Sequence, residues 1–207
     1  MEILTLKSKE KLGCNLCNKC CIYRGDIRLT PVNVCEIASF LGLTNKEFVE
    51  KYTDRLEGDL FELVLKTSGD KRQCVLYDEK NRKCSIHKVK PLQCVMFPLY
   101  PESIKQNFFI NSGQCVNNEF ETITIDKWLN GNGDIYNKHK EFCLYWISFI
   151  EDVQDIFRRK NVDIDFEAIY EKLFLEYDTS KSNYEKQARS NINEIKELIK
   201  IKISEKI

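Results

Sequence analysis

The second half of the chain keeps a helical rhythm. From Asp134 onward, Ile135, His139, Phe142, Trp146, Phe149, Val153 and Ile156 recur at steps of three and four residues, which lines them along one face of a long helix. The same spacing predicts a second helix over about residues 165–178 and a third over about 184–206. In the third, Ile192, Ile195, Ile199 and Ile203 form the apolar stripe, with Leu198 beside it. Such a stripe needs something to cover it, because an isolated helix is marginal in water. The expected cover is the face around Phe142, Trp146 and Phe149, since short connections favour neighbouring helices.

Before residue 130 the pattern breaks into shorter pieces. Within "RLTPVNVCEIASFLGLTNKEFVEKY", Thr30 can N-cap a helix with Pro31 at its first position. Val34, Ile37, Ala38 and Leu41 then share a face, and Gly42 stops the helix. Thr44 and Glu47 form a capping box for a second short helix, with Leu43 and Phe48 placed as its hydrophobic staple. The pair reads as a structural αα-hairpin. "LFELVLK" and "NFFIN" read as strands. "CVLYD" and "CSIH" flank the polar turn "EKNRK" and predict a hairpin with a cysteine opening each arm. The turn cluster "NGNGD", residues 130–134, is the natural boundary. The expectation is a mostly helical α+β protein, with a cysteine-rich region over 1–130 and a helical region over 131–207.

Charge narrows the partners. Lys plus Arg equals Asp plus Glu, 32 each, in a chain of 207 residues, so the basic excess of a nucleic-acid binder is missing. The N-terminus "MEILTLKSKEKLGC" carries no apolar core of signal-peptide length, and "FCLYWISFI" is too short to span a bilayer. The expected setting is cytoplasmic, without membrane or nucleic acid, and the expected state is a monomer with a protein or redox partner.

The ten cysteines change the picture most. Where thiols stay reduced, cysteines at these spacings read as metal ligands ahead of disulfides. Thiolates are soft donors that select zinc or iron–sulfur clusters. In "GCNLCNKCC", Cys14, Cys17 and Cys20 repeat a C-x2-C spacing and Cys21 follows at once; Cys74, Cys84, Cys94 and Cys115 come later. Eight thiolates suffice for two four-thiolate centres. Cys14, Cys17 and Cys20 match the opening run of bacterial ferredoxins, though the fourth spacing and following proline are absent. Neighbouring side chains of extended backbone point to opposite faces. Cys20 and Cys21 are therefore expected to serve two centres, Cys14, Cys17 and Cys20 with a remote ligand on one, Cys21 and the other late cysteines on the second, or to leave one reactive thiol. His87, at C-x2-H spacing after Cys84, is expected at the surface or in packing more than on a metal. His139 and Cys143, four apart on one helix, and Cys35, inside an amphipathic one, are expected to be core residues.

The C-x2-C-x2-C-C start, the "IASFLGL" and "EFVEKY" segments, and "CVLYD", "CSIH" and "PLQCVMFP" together resemble the CxxCxxCC cysteine-cluster (YkgJ-like) proteins. These are described as zinc- or iron-chelating and often as iron–sulfur proteins, and a similar cluster occurs in bacterial flagellin lysine N-methylases. The resemblance covers residues 14 to about 115 and implies metal binding at Cys14, Cys17, Cys20, Cys21, Cys74, Cys84, Cys94 and Cys115. It departs where members commonly carry Tyr at His87, Arg at Lys90 and Arg at Val95. No G-x-G-x-x-G, G-x4-G-K-[ST], H-E-x-x-H or G-x-S-x-G signature is present. The leading expectation is an iron–sulfur-cluster protein (4Fe-4S) serving electron transfer, cluster handling or cluster-dependent modification. One alternative is a zinc-stabilised module without catalysis. Another, implied by the resemblance, is a protein-modifying enzyme related to the methylases.

Overall fold

The computed structural model describes residues 3–13, 19–21, 26–56, 61–70, 72–101, 108–110, 119–131, 135–159 and 164–204. In chain order the elements are β1 (Lys9–Lys11), a 3-10 turn (Lys19–Cys21), β2 (Arg28–Leu29), α1 (Pro31–Leu41), α2 (Asn45–Tyr52), β3 (Thr53–Arg55) and β4 (Leu63–Leu65). Then come β5 (Thr67–Ser68), β6 (Gln73–Cys74), β7 (Tyr77–Asp78), β8 (Lys83–Cys84), a second 3-10 turn (His87–Val89), α3 (Leu92–Met96), β9 (Leu99–Pro101) and β10 (Phe108–Ile110). The chain continues with β11 (Thr122–Thr124), α4 (Ile125–Asn130), α5 (Ile135–Arg159), α6 (Phe166–Phe174) and α7 (Tyr184–Ser204). This is the mostly helical α+β class read from the sequence, its strands two or three residues long in small antiparallel sheets. The chain divides into two units, one formed by Met1–Ile27 with Lys66–Glu141, the other by Arg28–Leu65 with Phe142–Ile207.

The first unit has two parts. Its core gathers Leu4, Leu12, Val95, Met96, Leu99, Phe108, Ile125, Leu129 and Tyr136. β1 pairs with β11 and β9 with β10, while the backbone of Leu4 bridges to Phe108. Thr124 accepts from the Lys127 N–H at 3.1 Å and so starts α4 directly after β11. The other part is two hairpins in series: β5 with β6, where Thr67 faces Cys74, and β7 with β8, where Tyr77 faces Cys84. The predicted hairpin around "EKNRK" is present but shorter. Cys74 belongs to the preceding hairpin instead of opening an arm of this one, because pairing closes at Tyr77–Cys84. From residue 66 to 90 the buried large apolar side chains are Leu76 and Ile86, among the described residues.

The second unit is built by caps and apolar faces. Thr30 and Asn33 cap each other reciprocally at 3.2 and 3.1 Å, Pro31 occupies the first position of α1, and Gly42 ends it with φ of 70°. Thr44 and Glu47 repeat the arrangement on α2. β4 lies between β2 and β3, all antiparallel. Ile192, Ile195 and Ile199 of α7 are buried. α7 packs closely on α1 and α6, and its Arg189 and Lys196 also lie over Phe142 and Phe149 on the α5 face expected from the sequence. α5 meets α7 through longer side chains: Arg189 and Lys196 lie over the Tyr145 ring, and the Tyr145 hydroxyl donates to Asn193 at 3.1 Å. α6 stops at Phe174, short of the predicted 178. Asp178 accepts from both the N–H and the hydroxyl of Ser180, and local bonds of this kind favour a turn over helix.

Candidate metal centre

The first cysteines described are Cys20 and Cys21, and they lie on a 3-10 turn. The expectation that they serve two centres assumed extended backbone; on a 3-10 turn successive side chains are instead about 120° apart. The Cys21 thiol lies close enough to Cys20 and to Cys84 of β8 to interact electrostatically with both. Three thiols from two distant segments of the chain therefore converge. All three are half-buried.

Their electrostatics follow from that contact. Hydrogen bonding with Cys20 and Cys84, together with burial, pushes the Cys21 thiol far above the usual thiol range. Cys84 goes the other way, pulled down to about 7 first by the hydrogen bond from Cys21. The Ile86 N–H and the charge of Lys90 act in the same direction, against burial and the charge of Cys20. The two shifts are opposite in sign, Cys21 up and Cys84 down, because each thiol acts on the other. A divalent ion takes the place of thiol protons when it binds, since its ligands must be deprotonated. The donor set is all sulfur and suits zinc or iron, not magnesium or calcium.

The other sequence-predicted ligands divide into described and undescribed. Cys74 sits at the end of β6 and Cys94 inside α3, both half-buried. Cys14, Cys17 and Cys115 lie outside the described residues. Among the described residues no group of three or more His, Cys, Asp or Glu side chains is arranged to enclose an ion. The trio is accordingly a contact of thiols and not, by itself, a closed coordination shell. His87 is exposed on its 3-10 turn, its imidazole pulled below the usual value by partial burial and by Lys90. His139 is buried on α5.

Cys35 and Cys143 belong to the second unit. Burial pushes each of them up to about 12, so both stay protonated at neutral pH. Cys35 accepts a hydrogen bond from Asn45 Nδ2 at 3.2 Å.

Three residues that the sequence does not flag tie the N-terminal cysteine segment down. Asp26 pairs with Arg72 Nη2 at 2.8 Å, and the Asp26 carbonyl accepts from Gln93 Nε2 at 3.2 Å. Arg72 lies two residues before Cys74 and Gln93 one before Cys94. No spacing rule links Asp26 to either, so no single-sequence signal could have found the latch. Gly13, just before Cys14, abuts Phe120 so closely that a Cβ would overlap the ring.

A protein of Methanocaldococcus jannaschii, named "Uncharacterized protein MJ0661", is 30% identical over 153 residues, covering 69% of this chain and 73% of that protein. No solved structure matches. The family CxxCxxCC, described as "Putative zinc- or iron-chelating domain", matches residues 13–143, a span holding the trio together with Cys74 and Cys94. With a family match over more than half its length, the chain belongs to the CxxCxxCC family.

Proposed function

We propose that the protein carries an iron–sulfur cluster, ligated by thiolates of its first unit, and serves electron transfer, cluster handling or a cluster-dependent modification. The observation that carries the metal reading is the nearness of Cys20, Cys21 and Cys84 within the span that matches a zinc- or iron-chelating family. Its setting supports it. The segment from 66 to 90 has arms of two residues and buries two large apolar side chains among those described, too few to order it by apolar burial. A bound metal supplies folding free energy to such a segment. The C-x2-C-x2-C run and the eight cysteines point to iron–sulfur chemistry. When bound, the cluster supplies one-electron redox chemistry. The chain's own residues hold it and fix the ligand segments through Asp26.

The nearness of Cys20, Cys21 and Cys84 favours a second reading, a single zinc ion. Four sulfurs about 2.3 Å from one tetrahedral ion lie about 3.8 Å from each other, within contact range. The two readings separate on purification without oxygen. A cluster gives a brown protein with broad absorption near about 400 nm that bleaches with dithionite and contains iron and acid-labile sulfide. Colourless protein with stoichiometric zinc and no iron or sulfide overturns the cluster and establishes the zinc module.

A further inference from the structure

The formal charge of the whole chain is zero, yet residues 66–90 hold eight Lys or Arg against three Asp or Glu. Lys80 and Arg82 sit in the β7–β8 turn, Lys83 on β8 and Lys88 on the 3-10 turn that follows. All four are exposed. Among the described residues none of the four forms an ion pair, whereas Arg72 is engaged by Asp26. Lys83 and Lys88 flank the stretch that carries Cys84, a thiol of the trio.

We infer that this hairpin and the turn after it are a docking surface for an acidic patch on a partner protein. The positive excess of the hairpin is matched by a negative excess over the rest of the chain, because the whole sums to zero. A compact acidic patch meets the four cations with Asp78 and Glu79 beside them, a net positive surface. The chain as a whole lacks the basic excess of a nucleic-acid binder, and four cations are a small cluster beside a duplex or a bilayer. The exposed large apolar side chains, Ile3, Phe40, Tyr100, Ile147, Phe166, Leu198 and Ile201, all lie outside 66–90 among the described residues. The hairpin therefore offers neither a stacking platform for bases nor an apolar wedge for lipid. Rim charges of this kind speed and orient encounter more than they tighten it. The inference stands on surface charge and does not depend on which metal is bound.

The test uses the full chain with its metal, poly-L-glutamate as the acidic polypeptide, and two competing probes: a 20-base-pair RNA duplex and phosphatidylglycerol vesicles. One variant reverses the patch (K80E/R82E/K83E/K88E). A control reverses four exposed lysines elsewhere (K9E/K46E/K127E/K186E), giving the same change in net charge. Metal content and circular dichroism are checked on every preparation. The expected result is salt-sensitive binding of polyglutamate by the parent, weakened at least about tenfold in the patch variant and much less in the control, with metal content unchanged. Equal weakening in both variants, or no binding by the parent, overturns the inference. So does tighter binding of RNA or vesicles than of polyglutamate that the patch variant abolishes, which would assign the surface to that anion instead.

Discussion

At the scale of single residues, the second unit's buried thiol shows what local pattern can and cannot reveal. Cys35 reads as a structural thiol from its place in an amphipathic helix, and it is 1% exposed. Its partner is Asn45, whose amide also donates to the Phe174 carbonyl at 2.9 Å. That knot was not legible, because it forms only when α2 folds back beside α1 and α6 arrives from far along the chain. Asn45→Ala should cost about 1–3 kcal/mol in urea unfolding, since it leaves the Phe174 carbonyl buried without its donor. Cys35 also fixes a pH dependence. Its thiol titrates at about 12 in the folded protein against an ordinary 9. A raised acid is stabilising below the unfolded value, so its contribution is full below pH 9 and is lost as pH rises toward 12. Urea midpoints measured from pH 8 to 11 should fall more steeply in the parent than in Cys35→Ser. Parallel curves would mean that Cys35 titrates normally. At neutral pH, Cys35→Ser should leave metal content unchanged, whereas Cys21→Ser should lower it.

At the scale of elements, legibility tracks locality. The Thr30 cap, the Thr44–Glu47 capping box and the Gly42 stop are legible because every signal lies within four residues of the boundary it sets. β1 and β11 were not readable: a three-residue strand of Lys9, Glu10 and Lys11 has no apolar alternation, and its pairing with Thr122–Thr124 is decided by the core beneath it. The 3-10 backbone of Cys20–Cys21 is not legible for a related reason, since a run of thiols carries no signal for helix or strand. Thr30→Ala tests the local kind of information. It removes the bond to the Asn33 N–H at the head of α1 and should cost about 1–2 kcal/mol. Asp26→Ala tests the non-local kind. Its ion pair with Arg72 is half-exposed, a class worth about 0–1 kcal/mol, so loss of metal to a chelator should accelerate by no more than about fivefold. The charge swap Asp26→Arg with Arg72→Asp should restore the parent rate. A swap that behaves like Asp26→Ala would remove the ion pair from the account of metal retention.

At the scale of the whole molecule, the two units contain one tryptophan each. Trp128 packs against the core of the first unit, and Trp146 lies against Phe149 and Phe174 in the second. The units also differ in what holds them. The second buries Phe48, Phe142, Phe149, Phe174, Ile192 and Ile195 between its helices, an apolar core sufficient for its size. The first carries its cysteine hairpins on Leu76 and Ile86 among the described residues, so a bound metal supplies a larger share of its stability. Removing the metal should therefore act unequally. In a Trp146→Phe background, where Trp128 reports alone, chelation should shift emission to the red and lower the unfolding midpoint. In a Trp128→Phe background, Trp146 should keep its emission and most of its midpoint under the same chelator. Equal shifts at both positions would mean that the units unfold as one cooperative body through the α5 helix, whose residues belong to both. No shift at either would mean that metal contributes nothing to the fold, against the coupling on which the proposed function relies.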